Sequence, residues 1–311
     1  MAKKLRVGFC GSGPFASLCL ELISEHMKPE WVVTNMPRHS GRGMSLHSTP
    51  VGETSQRLGI TCFTTDKFSV DEERIEWIMH DSPDVILVID FGHIVKEPIL
   101  SLPRLGCLNI HPSKLPKYRG AAPVQRAIMD GLDTTAVTIF KLDHGMDTGP
   151  ILSQTPVVIA TADDSNTLLR KCAAIGVKEL IRHLCEIDEN EWIFTPQTIS
   201  GGSLAPKINK SEGRIDWHKT AKIISSLVRA IGETPGAYCM VNDKRFRIHK
   251  VEIYDLAGEP GTILQLDNGY PIIACGDGAL KLLSVQQEGK KVQSGSDWFR
   301  GSRLTAGAEF K

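Results

Sequence analysis

The 311-residue sequence predicts an α/β fold: an open, mostly parallel sheet with helices on both faces, then a second, smaller β-barrel domain. Three observations carry that expectation. Apolar strands alternate with amphipathic helical stretches over the first two hundred residues. A polar stretch, Thr195–Ser211, then interrupts the pattern with Pro196, Gly201, Gly202 and Pro206 and reads as a linker. Beyond it come short strands separated by frequent turns.

In order along the chain, the strands of the first part are Leu5–Cys10, Trp31–Thr34, Val85–Ile89, Cys107–Ile110 and Val137–Lys141. Helical patterns at Phe15–Glu25, Val51–Leu58 and Val70–Met79 lie between them. Strand-like Ile151–Ile159 and a helix at about Asn166–Leu184 complete this part. After the linker and a helix near Thr220–Ala230 come strands at Ala237–Val241, Phe246–Tyr254, Gly261–Leu266, Ile272–Cys275 and Leu280–Gln286. Asn242-Asp243, Asp267-Asn268-Gly269 and Gly276-Asp277-Gly278 are the turns between them. The expected domains are 1–204 and 205–311. In an open sheet of the first kind, ligands bind beyond the carboxyl ends of the strands, so residues just after a strand are the candidates for chemistry.

Composition narrows the class. With 41% hydrophobic and 23% charged residues the chain reads as globular, and no apolar run approaches the roughly 20 residues of a membrane span. The start, MAKKLRVGFCGSG, has a basic tip, but its apolar stretch is too short for a signal peptide and reads as the first strand. The eight cysteines form no C-x-x-C pair and the ten histidines no metal-binding spacing, so a reducing, cytoplasmic setting without a metal is expected. Net charge is zero but uneven: 20 basic against 24 acidic residues through position 203, then 16 against 12. The second part is therefore the side for a polyanionic partner.

One segment, Leu108–Leu152, carries candidate chemistry. Asn109 and His111 alternate past Ile110 at a strand end and share a face. Pro112-Ser113 and Pro116 turn the chain into a loop. A later strand ends at Lys141, and the turn Asp143–Gly149 brings Asp147 within reach of His111. An amide can donate to a developing oxyanion. An imidazole titrating near neutrality can stabilise that oxyanion or move protons, and a carboxylate beside it favours its charged form. Such a set allows direct attack of an amine on a carbonyl without a Ser or Cys nucleophile. On residue types alone, a histidine after a strand is more often structural than catalytic, and Asp147-Thr148-Gly149 also reads as a plain turn.

The segment resembles the signature of the 10-formyltetrahydrofolate-dependent formyltransferases, N-x-H-x-S-L-L-P-x-x-R-G followed by D-x-G-x-D-T-G. It is matched by Asn109, His111, Ser113, Leu115, Pro116, Arg119 and Gly120, then by Asp143, Gly145, Asp147, Thr148 and Gly149. Lys114 departs from the usual Leu. The resemblance implies a Rossmann-like catalytic domain with an OB-like barrel behind it, and catalytic roles for Asn109, His111 and Asp147. It also implies 10-formyltetrahydrofolate as co-substrate, held near Ile89, Phe91, Gly92, Ser113, Leu115, Pro116, Asp143 and Gly145. Where the family commonly has V-A-Y-G, this chain has Ile89-Asp90-Phe91-Gly92.

Further matches run almost end to end: GFCGSGPFA, SGRGMSLHSTPV, PRLGCLNIHPS, RGAAPVQRAI, APKINKSEGRIDW and the final GSRLTAGAEF. They resemble the family branch that formylates initiator methionyl-tRNA, and imply a monomer of bacterial or organellar source. Arg38, Arg42, Lys207 and Lys210 are the implied tRNA contacts, with the loop Met36–Pro50 meeting the acceptor end. Met44-Ser45 replaces the family's Lys-Lys, which should flatten the salt dependence of binding. Two alternatives remain at this point: a formyltransferase acting on an amino-sugar nucleotide, and a non-catalytic RNA-binding relative.

Overall fold

A computed structural model describes residues 5–40, 45–66, 78, 83–187, 192–198 and 200–310. The apolar runs of the first part form β1 (Val7–Gly11), β2 (Trp31–Asn35), β5 (Cys62–Thr65), β6 (Val85–Ile89), β7 (Cys107–His111), β8 (Thr134–Lys141) and β9 (Ile151–Val158). Their order in one sheet is β5-β2-β1-β6-β7-β8-β9. The first five pair in parallel, whereas β8 and β9 run antiparallel to their neighbours. The run VILVI of β6 is buried throughout, as befits a central parallel strand covered on both faces. The chain leaves β1 in one direction and returns to β6 on its other side, so the switch in strand order lies between these two.

Two helices anchor the loops at the strand ends. Helix α1 (Pro14–Ser24) starts on Pro14, whose missing N–H is not needed there, and buries Phe15, Ala16, Cys19, Leu20 and Ile23. Helix α2 (Pro50–Leu58) is capped by the Thr49 hydroxyl, which accepts from the Gly52 N–H at 3.0 Å, and is stopped by Gly59 at φ +61°. The expected loop before it contains a two-stranded antiparallel sheet, β3 (Arg38–Ser40) with β4 (Ser45–His47), in which Arg38 pairs with His47. The helix expected at Val70–Met79 lies outside the described residues except for Ile78, which is buried.

These elements belong to a compact unit of residues 1–123, 134–158 and 169–206. One apolar cluster of that unit joins Cys10, Trp31, Val33, Ile86, Val88 and Cys107. Trp31 is fully buried, and its indole lies where a Cβ on Gly8 would overlap it. Trp31→Ala is accordingly expected to cost about 3–5 kcal/mol, the usual range for emptying an aromatic site in a core. Urea unfolding followed by circular dichroism measures this directly, and a loss below about 1 kcal/mol would refute it.

The second unit comprises residues 124–133, 159–168 and 207–311. Its sheet is antiparallel, in the order β10 (Ala237–Val241), β11 (Lys244–Tyr254), β14 (Ala279–Gln287), β13 (Tyr270–Ala274), β12 (Ile263–Asp267), with β15 (Gln293–Ser294) added to β14. Asn242 and Asp243 take φ of +50° and +58°, the mirror-image turn that suits a tight hairpin. A helix at Ala221–Ile231, capped by Thr220, shares a core with Trp217, Phe246, Trp298 and Phe310. None of the eight cysteines forms a disulfide, and Cys185 alone is exposed. Among the described residues no helix is long and apolar enough to cross a membrane.

Candidate active site

Asn109 and His111 stand on β7, and their register neighbours across the antiparallel pairing with β8 are Phe140 and Thr138. His111 is buried and meets Phe140 edge to face, with ring centroids 6.4 Å apart. Its Nε2 lies 2.9 Å from the Tyr118 carbonyl oxygen, so the proton on that side is donated to the backbone. Nδ1 faces the Asp147 carboxylate at 3.8 Å, an ion-pair distance and not a hydrogen bond. The Oδ1 of Asn109 is buried without a hydrogen-bond partner. An unpaired buried polar atom calls for a functional explanation, and either end of the amide could face a reacting group here.

Asp147 occupies the left-handed region at φ +55°, which Asp tolerates better than most side chains. Its Oδ2 accepts the Gly120 N–H at 2.7 Å. The turn is built from its own sequence: Asp143 Oδ1 accepts from the Gly145 N–H at 3.0 Å and the Thr148 hydroxyl at 2.7 Å. Gly149 closes it, because a Cβ there would overlap the Lys141 carbonyl oxygen.

The loop after His111 is braced from within. The Ser113 hydroxyl donates to the Lys117 carbonyl at 2.7 Å, and the Thr138 hydroxyl donates to the Ser113 carbonyl at the same distance. Ser113, expected to touch the co-substrate, is fully buried with its hydroxyl committed to this loop. Gln154 holds the Leu115 carbonyl at 3.0 Å, and Leu115 itself is buried. The segment read as linker also contributes. Ser203, Leu204 and Ala205 run alongside the loop, with Arg119 N–H on the Ser203 carbonyl at 2.9 Å and Ala205 N–H on the Arg119 carbonyl at 2.6 Å.

Ile89, Phe91 and Gly92 come from the carboxyl end of the neighbouring strand, β6. Ile89 and Phe91 are buried, and Gly92 takes φ +78°. Phe91 and Gly92 line a cleft of about 350 Å³ at the switch in strand order, with Ser12, Gly13, Asn35, Arg38 and Thr49. Asp90 faces this cleft. Protein packed around its carboxyl pushes it up to about 6, against the opposing pull of the Phe15 and Ala16 N–H groups. A Cβ on Gly13 would overlap that carboxylate, so the Gly-Ser-Gly turn makes room for Asp90.

Of the residues expected to meet tRNA, Arg38 lines the cleft, whereas Lys207 and Lys210 are exposed and belong to the second unit. Arg42 lies outside the described residues. Among the described residues, no cluster of His, Cys, Asp or Glu could hold a metal. Sequence reasoning missed Gln197. Its Nε2 donates to the carbonyls of Asp147 and Gly149 at 2.9 and 2.8 Å, while its Oε1 accepts from Arg119. The one available signal, an Arg-Gly motif needing a partner, did not say where that partner would come from.

Residues 7–184 match the formyl transferase family and residues 207–303 the formyl transferase C-terminal domain. The chain is 35% identical to the methionyl-tRNA formyltransferase of Aromatoleum aromaticum, over all of this chain and 98% of the relative. It is equally identical to that of Methylobacterium nodulans, over 98% of each. An N-formyltransferase from Helicobacter canadensis, solved with folinic acid and dTDP-3-aminofucose, superimposes with a TM-score of 0.63 at 20% identity. That alignment covers 90% of this chain and 99% of the other, and shows a shared fold. With both segments matched and full-length relatives above one-third identity, the chain belongs to the formyl transferase family and, within it, to the methionyl-tRNA formyltransferases.

Proposed function

We propose that the chain transfers the formyl group of 10-formyltetrahydrofolate to the α-amino group of methionine on initiator tRNA. The observation that carries this reading is the gathering of Asn109, His111 and Asp147 at one strand end, with an Asn109 amide oxygen buried and unpartnered. The amine nitrogen attacks the formyl carbon, and Asn109 and His111 stabilise the oxyanion that forms. Asp147 tunes His111 and assists removal of the amine proton. Collapse breaks the bond to the folate nitrogen, which leaves with a proton as tetrahydrofolate.

In this reading residues 1–204 bind the folate and perform the chemistry, and residues 205–311 bind tRNA. Ile89, Phe91 and Leu115 supply buried apolar surface for a flat heterocycle, with Gly92, Pro116, Asp143 and Gly145 near it. Arg38, Arg42, Lys207 and Lys210 contact the tRNA of a monomeric enzyme working in the bacterial cytoplasm.

Formyl transfer from 10-formyltetrahydrofolate to charged initiator tRNA, beside charged elongator methionine tRNA, tests the assignment. Strong preference for the initiator is the expected result. Folate binding without transfer to either tRNA would overturn the acceptor and point to an amino sugar.

A further inference from the structure

We propose that Gln197 is a positioning residue for formyl transfer, tying the Asp147 turn to Arg119 and so aiming the Asp147 carboxylate; the claim rests on the role given to Asp147 above. Gln197 falls between the two matched family segments, which end at 184 and resume at 207. Its amide has only one orientation that satisfies its neighbours. The Arg119 guanidinium offers donors at 2.6 and 3.2 Å and requires Oε1, while the two carbonyls require Nε2.

The carbonyls it holds belong to Asp147 itself and to Gly149, on either side of Thr148. Both N–H groups of one amide therefore grip the backbone on which the carboxylate stands. Asp147 sits in the left-handed region, a conformation that persists only when its surroundings hold it. The charged Arg119 on the far side of the amide polarises it and strengthens the grip. Arg119 is in turn fixed by the backbone bonds to Ser203 and Ala205. The segment after the sheet thus braces the turn that carries Asp147.

The consequence is a rate effect without a binding effect. A displacement of about 1 Å at a catalytic group costs up to about a hundredfold in rate. In the full-length chain, Gln197→Ala and Gln197→Glu are each expected to lower kcat about ten- to a hundredfold, with KM for both substrates within about threefold. The glutamate keeps a partner for Arg119 but loses both donors to the turn, so it isolates the grip from the fold. Because Gln197 acts through Asp147, Gln197→Ala should add little in an Asp147→Asn background.

A substrate-free readout accompanies the kinetics. The Gly120 amide donates to the Asp147 carboxylate, so its hydrogen exchange should quicken in both Gln197 variants. Full turnover in Gln197→Glu, additive losses in the double variant, or unchanged Gly120 protection would overturn the proposal. A wild-type chain inactive on methionyl-tRNA would instead overturn the acceptor assignment, and Gly120 exchange would still decide the role of Gln197.

Discussion

Asp147→Asn is expected to lower turnover by about three orders of magnitude while leaving folate affinity within about threefold. Asn also tolerates the left-handed backbone at φ +55°, and its amide oxygen can still accept the Gly120 N–H. The turn therefore survives. What disappears is the negative charge 3.8 Å from His111 Nδ1 and, in the proposed mechanism, the acceptor for the amine proton. General base assistance of this kind contributes about 10² to 10⁴ in rate. Rapid-quench formylation at saturating substrate, with calorimetric titration of folate, separates the two effects. A near-normal turnover would remove Asp147 from the mechanism.

Asn109→Ala is expected to reduce kcat about 10²- to 10³-fold, the usual cost of removing one oxyanion donor. The stability of the same variant should move the other way. Asn109 keeps its Oδ1 buried without a partner, a state that penalises folding by about 1–3 kcal/mol. Alanine removes the unsatisfied atom and its penalty. The unfolding midpoint should hold or rise while activity collapses, the signature of a group kept for chemistry at the expense of stability. A fall in midpoint matching the fall in activity would mark Asn109 as a packing residue.

The sequence was most legible where one local rule decided the outcome. VILVI could only be a buried strand, and the helix expected at Asn166–Leu184 is found at Ser165–Cys185. Alternation correctly put Asn109 and His111 on one strand end. β8 begins at Thr134, ahead of the expected Val137, because Thr134 and Thr135 are recruited by pairing with Val158 and Val157 of β9 and not by their own hydrophobicity. The antiparallel pairing of β3 with β4 has no apolar alternation to announce it.

Within the site, what escaped was whatever depends on distant segments. Gln197 sits in a polar stretch whose composition says linker, yet its partners are 48 to 78 residues away. The proton partner of His111 is a backbone carbonyl, that of Tyr118, and backbone acceptors leave no trace in a sequence. Asp90, a departure from the family pattern, proves to sit against the start of a helix some 75 residues earlier.

The scattered thiols have a practical use. Burial pushes Cys10 and Cys19 well up, takes Cys107 and Cys275 to about 12, and raises Cys62 and Cys239 as well. A protonated thiol is a poor nucleophile, so near neutrality an alkylating dye meets these six as slow sites, and the seventh, Cys172, is buried. Cys185, exposed at the end of its helix, is the fast one. The unmodified chain therefore comes with its own attachment point for a fluorophore, and tRNA titrations can be read by fluorescence without engineering a cysteine or disturbing any residue of the site.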